Sequence, residues 1–123
     1  MRFHFPVIII DEDFRSENAS GLGIRALAAA MEKQGLEVLG VTSFGDLSSF
    51  AQQQSRASAF ILSIDDEELA SDREGTLAGL RAFVTEIRNR NVDIPIFLHG
   101  ETRTSRHIPN DVLRELHGFI HMF

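Results

Sequence analysis

The chain has 123 residues, the size of one ordinary domain. Its net charge of -6 argues against a nucleic-acid binder, because such proteins carry a basic surface. It contains no cysteine, which excludes disulfides and thiolate metal sites, and no stretch of it is apolar enough to span a membrane. The N-terminus lacks a signal-peptide pattern, so we predict a soluble, cytoplasmic domain.

The first predicted element is an unbroken run of β-branched residues from Val7 to Ile10. A half-exposed strand alternates apolar and polar residues, so this run indicates a strand buried on both faces, as in a parallel sheet. Three acids, Asp11, Glu12 and Asp13, follow it directly. Ligands usually bind at the carboxyl ends of such strands, which makes the acids candidate functional residues. The alternative is a solvated cluster that caps turns.

A helix follows, which Asn18 or Ser20 can cap at its start and Gly35 can end. The apolar residues at helical spacing are Ile24, Leu27, Ala28 and Met31. The pattern of residues 36–41 predicts a second strand. The charged Glu37 indicates that this strand lies at the edge of its sheet.

The rest of the chain continues the alternation of strands and helices. The remaining predicted elements are a helix at 46–56, a strand at 59–64, a long helix capped by Asp72, a strand at 94–99, a short helix at 109–116 and a strand at 118–123. Such alternation indicates right-handed βαβ units. We therefore predict an α/β, flavodoxin/receiver-like three-layer sandwich, with a five-stranded parallel sheet in the order 2-1-3-4-5 and helices on both faces.

The acids after the first and third predicted strands resemble those of response-regulator receiver domains. In receivers, acids after strand one hold Mg²⁺, an Asp ending strand three accepts a phosphoryl group, and a lysine ends strand five. Here the acceptor position falls on Ile64, Gly100 stands at the hydroxyl position where receivers end strand four with a Thr or Ser, and Met122 stands at the lysine position. We interpret four acids as vestigial receiver acids, which lie near the positions of the receiver acids without their chemistry: Asp11, Glu12, Asp13 and Asp65. The alternative is a phospho-accepting receiver domain.

Four further segments, at 8–14, 42–46, 91–98 and 113–120, carry a second resemblance that covers nearly the whole chain. In their order and spacing they are similar to the N-terminal domain of bacterial inducible Orn/Lys/Arg decarboxylases, most of all the acid-induced arginine decarboxylases. The resemblance implies that residues 1–123 form a non-catalytic, receiver-like wing domain of a longer decarboxylase. The catalytic domains and their pyridoxal phosphate would then lie outside this chain.

The same resemblance implies the role of the parent protein. It would be a carbon–carbon lyase that decarboxylates a basic amino acid (arginine, lysine or ornithine) during acid stress, with dimers assembling into larger rings through this domain. The chain's single lysine, Lys33, is expected at an exposed helix end and has no cofactor-binding context. Lysine-specific family members bind guanosine tetraphosphate near this domain, and Arg114 aligns with an arginine used there. Arg103 and Arg106, in a basic loop, are candidate interface contacts.

The five histidines do not predict a metal site. Only His99 and His121 are expected to approach each other, and two imidazoles without a third ligand bind metal weakly. We expect the histidines to be surface groups whose charge changes near neutral pH.

Overall fold

The computed structural model describes residues 6–42, 57–64, 70–90, 93–101 and 108–122. Within them the strands are β1 (Val7–Ile10), β2 (Val38–Val41), β3 (Ala59–Ser63), β4 (Ile96–Glu101) and β5 (Gly118–Met122). The helices are α1 (Ala19–Lys33), α2 (Arg73–Arg90) and α3 (Asn110–Leu113). The strands form a parallel sheet in the order β2-β1-β3-β4-β5, which confirms the predicted flavodoxin-like α/β fold. The predicted helix at 46–56 lies outside the described residues.

The chain divides into two compact units, Met1–Ile61 and Leu62–Phe123. The first unit is built on β1, whose four side chains are at most 4% exposed. This burial is what the unbroken apolar run predicts. The β1 strand pairs in parallel with β2, placing Val7 opposite Val38 and Ile10 opposite Val41. The position of β2 at the edge of the sheet confirms the prediction made from Glu37.

Helix α1 begins and ends where its sequence indicates. The Asn18 side chain accepts a hydrogen bond from the Gly21 N–H at 2.8 Å, so Asn18 rather than Ser20 is the N-cap. Gly35 follows the C-cap with a φ of 89°, the left-handed conformation that glycine adopts most readily. The helix buries Gly21, Ile24 and Ala28.

The second unit contains the long helix α2. The Asp72 side chain accepts from the Gly75 N–H at 3.0 Å, which confirms Asp72 as its cap. The buried residues of α2 are Leu77, Leu80, Phe83, Val84 and Ile87. In the same unit, β4 and β5 pair in parallel, with Phe97 opposite Gly118 and His99 opposite Ile120.

Two predicted elements in the second unit have other bounds in the structure. The fourth strand begins at Ile96 rather than Ile94, because Pro95 has no N–H to donate to a neighbouring strand. The strand continues to Glu101, two residues beyond its predicted end. The last helix is Asn110–Leu113, shorter than predicted, because the extended Pro109 (φ −61°, ψ 150°) is its N-cap rather than part of its first turn. After Leu113 the backbone continues as a turn, with a Leu116 N–H bond to the Leu113 carbonyl.

Among the described residues, no helix combines the length and the apolar character that crossing a membrane requires.

Candidate functional site

The three predicted acids lie in the turn that follows β1. Asp11 is buried, with 8% exposed, and its Oδ1 accepts a hydrogen bond from the Asp13 backbone N–H at 2.8 Å. The Asp13 carboxylate accepts from the Ser16 hydroxyl and from the Asn18 amide, each at 3.3 Å. Glu12 is exposed. Two of the three acids therefore organise the turn itself, as the turn-capping alternative predicts.

The same turn is held against the start of α1 by hydrogen bonds and close packing. The Arg25 guanidinium donates to the Phe14 carbonyl at 2.6 Å and to the Ser16 carbonyl at 2.8 Å. A Cβ at Gly21 would collide with the backbone oxygen of Ser16, so glycine is needed for this close approach. The Phe14 ring packs so closely against Gly40 of β2 that a Cβ there would require the ring to move. We call residues 11–18 the strand-end turn.

The strand-end turn is a built structural element rather than a wholly solvated acidic cluster, since Asp11 is buried. Within the described part of the chain, no group of three or more acids or histidines is placed to hold a metal ion. The hydrogen bonds that Asp11 and Asp13 accept instead come from neighbours within the turn. The geometry thus assigns these acids to local structure.

The other receiver positions carry different residues. Ile64, at the acceptor position, is 6% exposed, and its N–H donates to the His99 carbonyl at 3.0 Å. Gly100 occupies the hydroxyl position within β4, and Met122 is the last residue of β5. Asp65 lies outside the described residues. An apolar side chain at the acceptor position cannot take a phosphoryl group.

Lys33 lies exposed in the last turn of α1. The strand-end turn is at the other end of this helix, about 22 Å away along its axis. The expected position of Lys33 at a helix terminus is confirmed. Its charge is favourably placed there against the helix dipole.

A polar pair in the second unit, formed by the half-buried Ser63 and the buried His99, has no counterpart in the sequence predictions. The Ser63 hydroxyl lies 3.0 Å from Nδ1 of His99, and His99 is only 6% exposed. The expectation that the histidines are surface groups is therefore wrong for His99, while His117 is exposed as expected. The sheet register pairs His99 with Ile120 rather than with His121.

Two arginines of α2 hold the segment around α3. Arg81 donates to both carboxylate oxygens of Asp111, at 3.1 and 3.2 Å, and this hydrogen bonding lowers the pKa of Asp111 below its ordinary value. Arg88 donates to the Ile94 carbonyl at 2.7 Å and pairs with the Glu115 carboxylate at 3.4 Å.

The candidate interface and effector residues are less constrained. Arg114 is the exposed C-cap of α3, and within the described part of the chain its side chain makes no hydrogen bond or ion pair. Arg103 and Arg106 lie outside the described residues. The structure therefore leaves all three as predictions.

A family model described as "Orn/Lys/Arg decarboxylase, N-terminal domain" matches residues 19–123. The chain belongs to this family. Lysine decarboxylase LdcA of Pseudomonas aeruginosa is 23% identical to this decarboxylase N-terminal domain over 122 residues, which cover 97% of the chain and 16% of LdcA. The solved structure of lysine decarboxylase A from Pseudomonas aeruginosa aligns with a TM-score of 0.81 and 22% identity, covering 99% of this chain and 16% of that one.

These matches show which family the domain belongs to, and they cover only a small part of the relative's length. The structural likeness, at 22% identity, shows the fold alone. The decarboxylase N-terminal domain spans about 16% of the length of the relative it matches. The matches place the chain in the family of Orn/Lys/Arg decarboxylase N-terminal domains without distinguishing arginine-type members, and they give no support to the phospho-accepting receiver.

The residues of this decarboxylase N-terminal domain do not fit pyridoxal phosphate. That cofactor needs a lysine to form its Schiff base, together with a site that binds its phosphate. Lys33 is the only lysine in the sequence, and it lies exposed in the last turn of α1.

Proposed function

We propose that this domain serves assembly: it joins copies of a pyridoxal-phosphate-dependent decarboxylase of a basic amino acid into a homo-oligomer of dimers. The family match over residues 19–123 carries the proposal. The engagement of Asp11 and Asp13 within the strand-end turn supports it, because the acids that serve catalysis in receivers are used structurally here. The buried Ile64 at the acceptor position supports it further.

The proposed parent protein is cytoplasmic and acts during acid stress. Its substrate is arginine, lysine or ornithine, and the sequence resemblance was strongest to the arginine decarboxylases. The relative described above is named a lysine decarboxylase, so a direct assay with the three amino acids is needed to choose among them. Binding of guanosine tetraphosphate near the exposed Arg114 likewise stays a prediction.

Charge explains why acid would favour such assembly. Copies of a chain with a net charge of -6 repel one another. As the pH falls from about 7 toward about 5, histidine side chains gain positive charge and some carboxylates begin to protonate, so the repulsion weakens.

The test is sedimentation of the parent protein with and without residues 1–123, at about pH 5.5 and about pH 7.5. We expect the intact protein to form larger assemblies at the acidic pH and the shortened protein to remain dimeric at both. Decarboxylase activity per subunit is the control, since it shows that the catalytic domains stay folded after the deletion. If the shortened protein assembles at acidic pH as the intact protein does, the proposed function is wrong.

A further inference from the structure

The outward side of α1 is apolar, although surface helices usually carry charged residues there. The exposed residues of this side, which we call the α1 face, are Ala19, Leu22, Gly23, Ala26, Ala29 and Ala30. Leu22 is 56% exposed, one of two large apolar side chains so exposed among the described residues. Alanine alone would be explained by its high helix propensity, but the exposed Leu22 is not explained in that way.

Charged side chains stand at the two ends of the α1 face. Glu17, just before the helix, has 92% of its side chain exposed, and its carboxylate lies 3.9 Å from the Arg25 guanidinium. Lys33 is exposed in the last turn and continues the line of the face. Arg25, between them, donates to the carbonyls of the strand-end turn. The face therefore has an acid at its N-terminal end, an apolar centre and a base at its C-terminal end.

This arrangement is complementary to itself. Suppose that two copies of α1 lie antiparallel about a two-fold axis at Ala26. A residue a given number of positions after Ala26 in one copy then faces the residue about the same number of positions before Ala26 in the other. Leu22 then meets Ala30 of the second copy, so the large side chain enters the space left by small ones. Lys33 comes close to Glu17 of the second copy, and the two helix dipoles run in opposite directions. Every contact occurs twice because the surface is the same on both copies.

We propose that the α1 face is a docking surface for a second copy of this chain, packed antiparallel about Ala26. This inference rests on the proposed function in assembly and names the surface that carries it. A helix pair of about 22 Å buries less than the roughly 1,000 Å² typical of stable interfaces. The contact is therefore weak between isolated chains and becomes effective when the parent protein presents many copies together.

Cysteine crosslinking tests the proposal directly, because the chain has no cysteine of its own. Ala26→Cys places a thiol at the proposed axis, and Ala82→Cys, also at an exposed alanine within a long helix, is the matched control. We expect a short bis-maleimide to join Ala26→Cys chains at least about tenfold faster than Ala82→Cys chains. Equal rates would overturn the proposal.

Charge exchange gives a second, independent readout in the Ala26→Cys chain. Lys33→Glu places acid against acid and should lower the crosslinking rate to that of the control. Adding Glu17→Lys restores opposite charges and should restore the rate. If the double exchange leaves crosslinking as slow as Lys33→Glu alone, the antiparallel arrangement is wrong. Circular dichroism of each variant checks that the fold is intact.

Leu22→Arg in the parent protein tests whether the α1 face, rather than another surface of the domain, is needed for assembly. We expect it to abolish assembly at acidic pH, as deletion of residues 1–123 does. If the deletion abolishes assembly and Leu22→Arg does not, the α1 face is not the docking surface, although the domain still serves assembly. If neither change affects assembly, the proposed function itself fails.

Discussion

The carboxylate of Asp11 accepts a hydrogen bond from the backbone N–H of Asp13 at 2.8 Å. Each of these acids follows β1, where a receiver domain would place its metal ligands, yet one of them caps the other within a single turn. Asp11 is buried and Glu12, between the two, is exposed. Neighbouring acids of the same charge thus have different physical roles, and the stability of substituted proteins can distinguish them.

Asp11→Ala should lower the free energy of unfolding by about 1–2 kcal/mol, because the Asp13 N–H loses its acceptor. Asp11→Asn keeps an acceptor oxygen and should cost less. Glu12→Ala is the matched control at an exposed acid and should change stability by less than about 0.5 kcal/mol. Urea unfolding followed by circular dichroism measures all three. A loss for Glu12→Ala equal to that for Asp11→Ala would contradict the assignment.

Two glycines of α1 should respond to alanine with opposite signs. At Gly21 a Cβ collides with backbone atoms of the strand-end turn, so Gly21→Ala should destabilise the protein by about 2 kcal/mol or more. At Gly23 nothing lies within 4 Å of the added carbon, so Gly23→Ala should stabilise it by about 0.5–1 kcal/mol. Thermal unfolding at low protein concentration measures both. Changes of the same sign would show that the turn does not lie against the helix.

Ser63→Ala should lower the free energy of unfolding by about 1–2 kcal/mol, since the buried His99 loses its hydrogen bond to the serine hydroxyl. Ser20→Ala, at a half-exposed serine of α1, is the control and should have an effect below about 0.5 kcal/mol. Denaturant unfolding provides the comparison. Indistinguishable midpoints for Ser63→Ala and the unchanged protein would argue against the buried pair.

The carboxyl of Asp111 should titrate below its ordinary pKa of 3.8, because Arg81 donates hydrogen bonds to its ionised form. Stability from this pair is present in full above the unfolded pKa and is lost as the pH falls through the lower folded pKa. The pair is therefore unaffected at mildly acidic pH. Carbon NMR titration measures the pKa, and Arg81→Gln should return it toward 3.8. An ordinary pKa for Asp111 in the unchanged protein would exclude the contact.

Incubation with acetyl phosphate and Mg²⁺ should leave the mass of the chain unchanged. The acceptor position is the buried Ile64, and Met122 stands where receivers carry lysine. Intact-mass spectrometry reads the result, with an active receiver domain as the positive control. A stable adduct of one phosphate on Asp65 would favour the phospho-accepting alternative.

Local pattern was enough to predict the type and order of the described strands and helices, although not all of their bounds. The apolar run Val7–Ile10 predicts a fully buried strand, and Glu37 marks the edge strand, because burial and exposure select residue types at each position. Gly35 is identified in advance because few other residues adopt a positive φ at a helix end. The parallel order of the sheet then follows from the alternation of strands and helices and the handedness of their connections.

The sequence by itself determined that three acids follow β1; only the tertiary structure decided that Asp11 is buried and turned toward its own backbone. The pairing of Ser63 with His99 joins residues 36 positions apart, and no periodicity links them. The contact of Arg81 with Asp111 spans 30 positions in the same way. Residue type and spacing record which face of an element is buried. Partners that meet across elements are set by how those elements pack, and the packing depends on the whole chain.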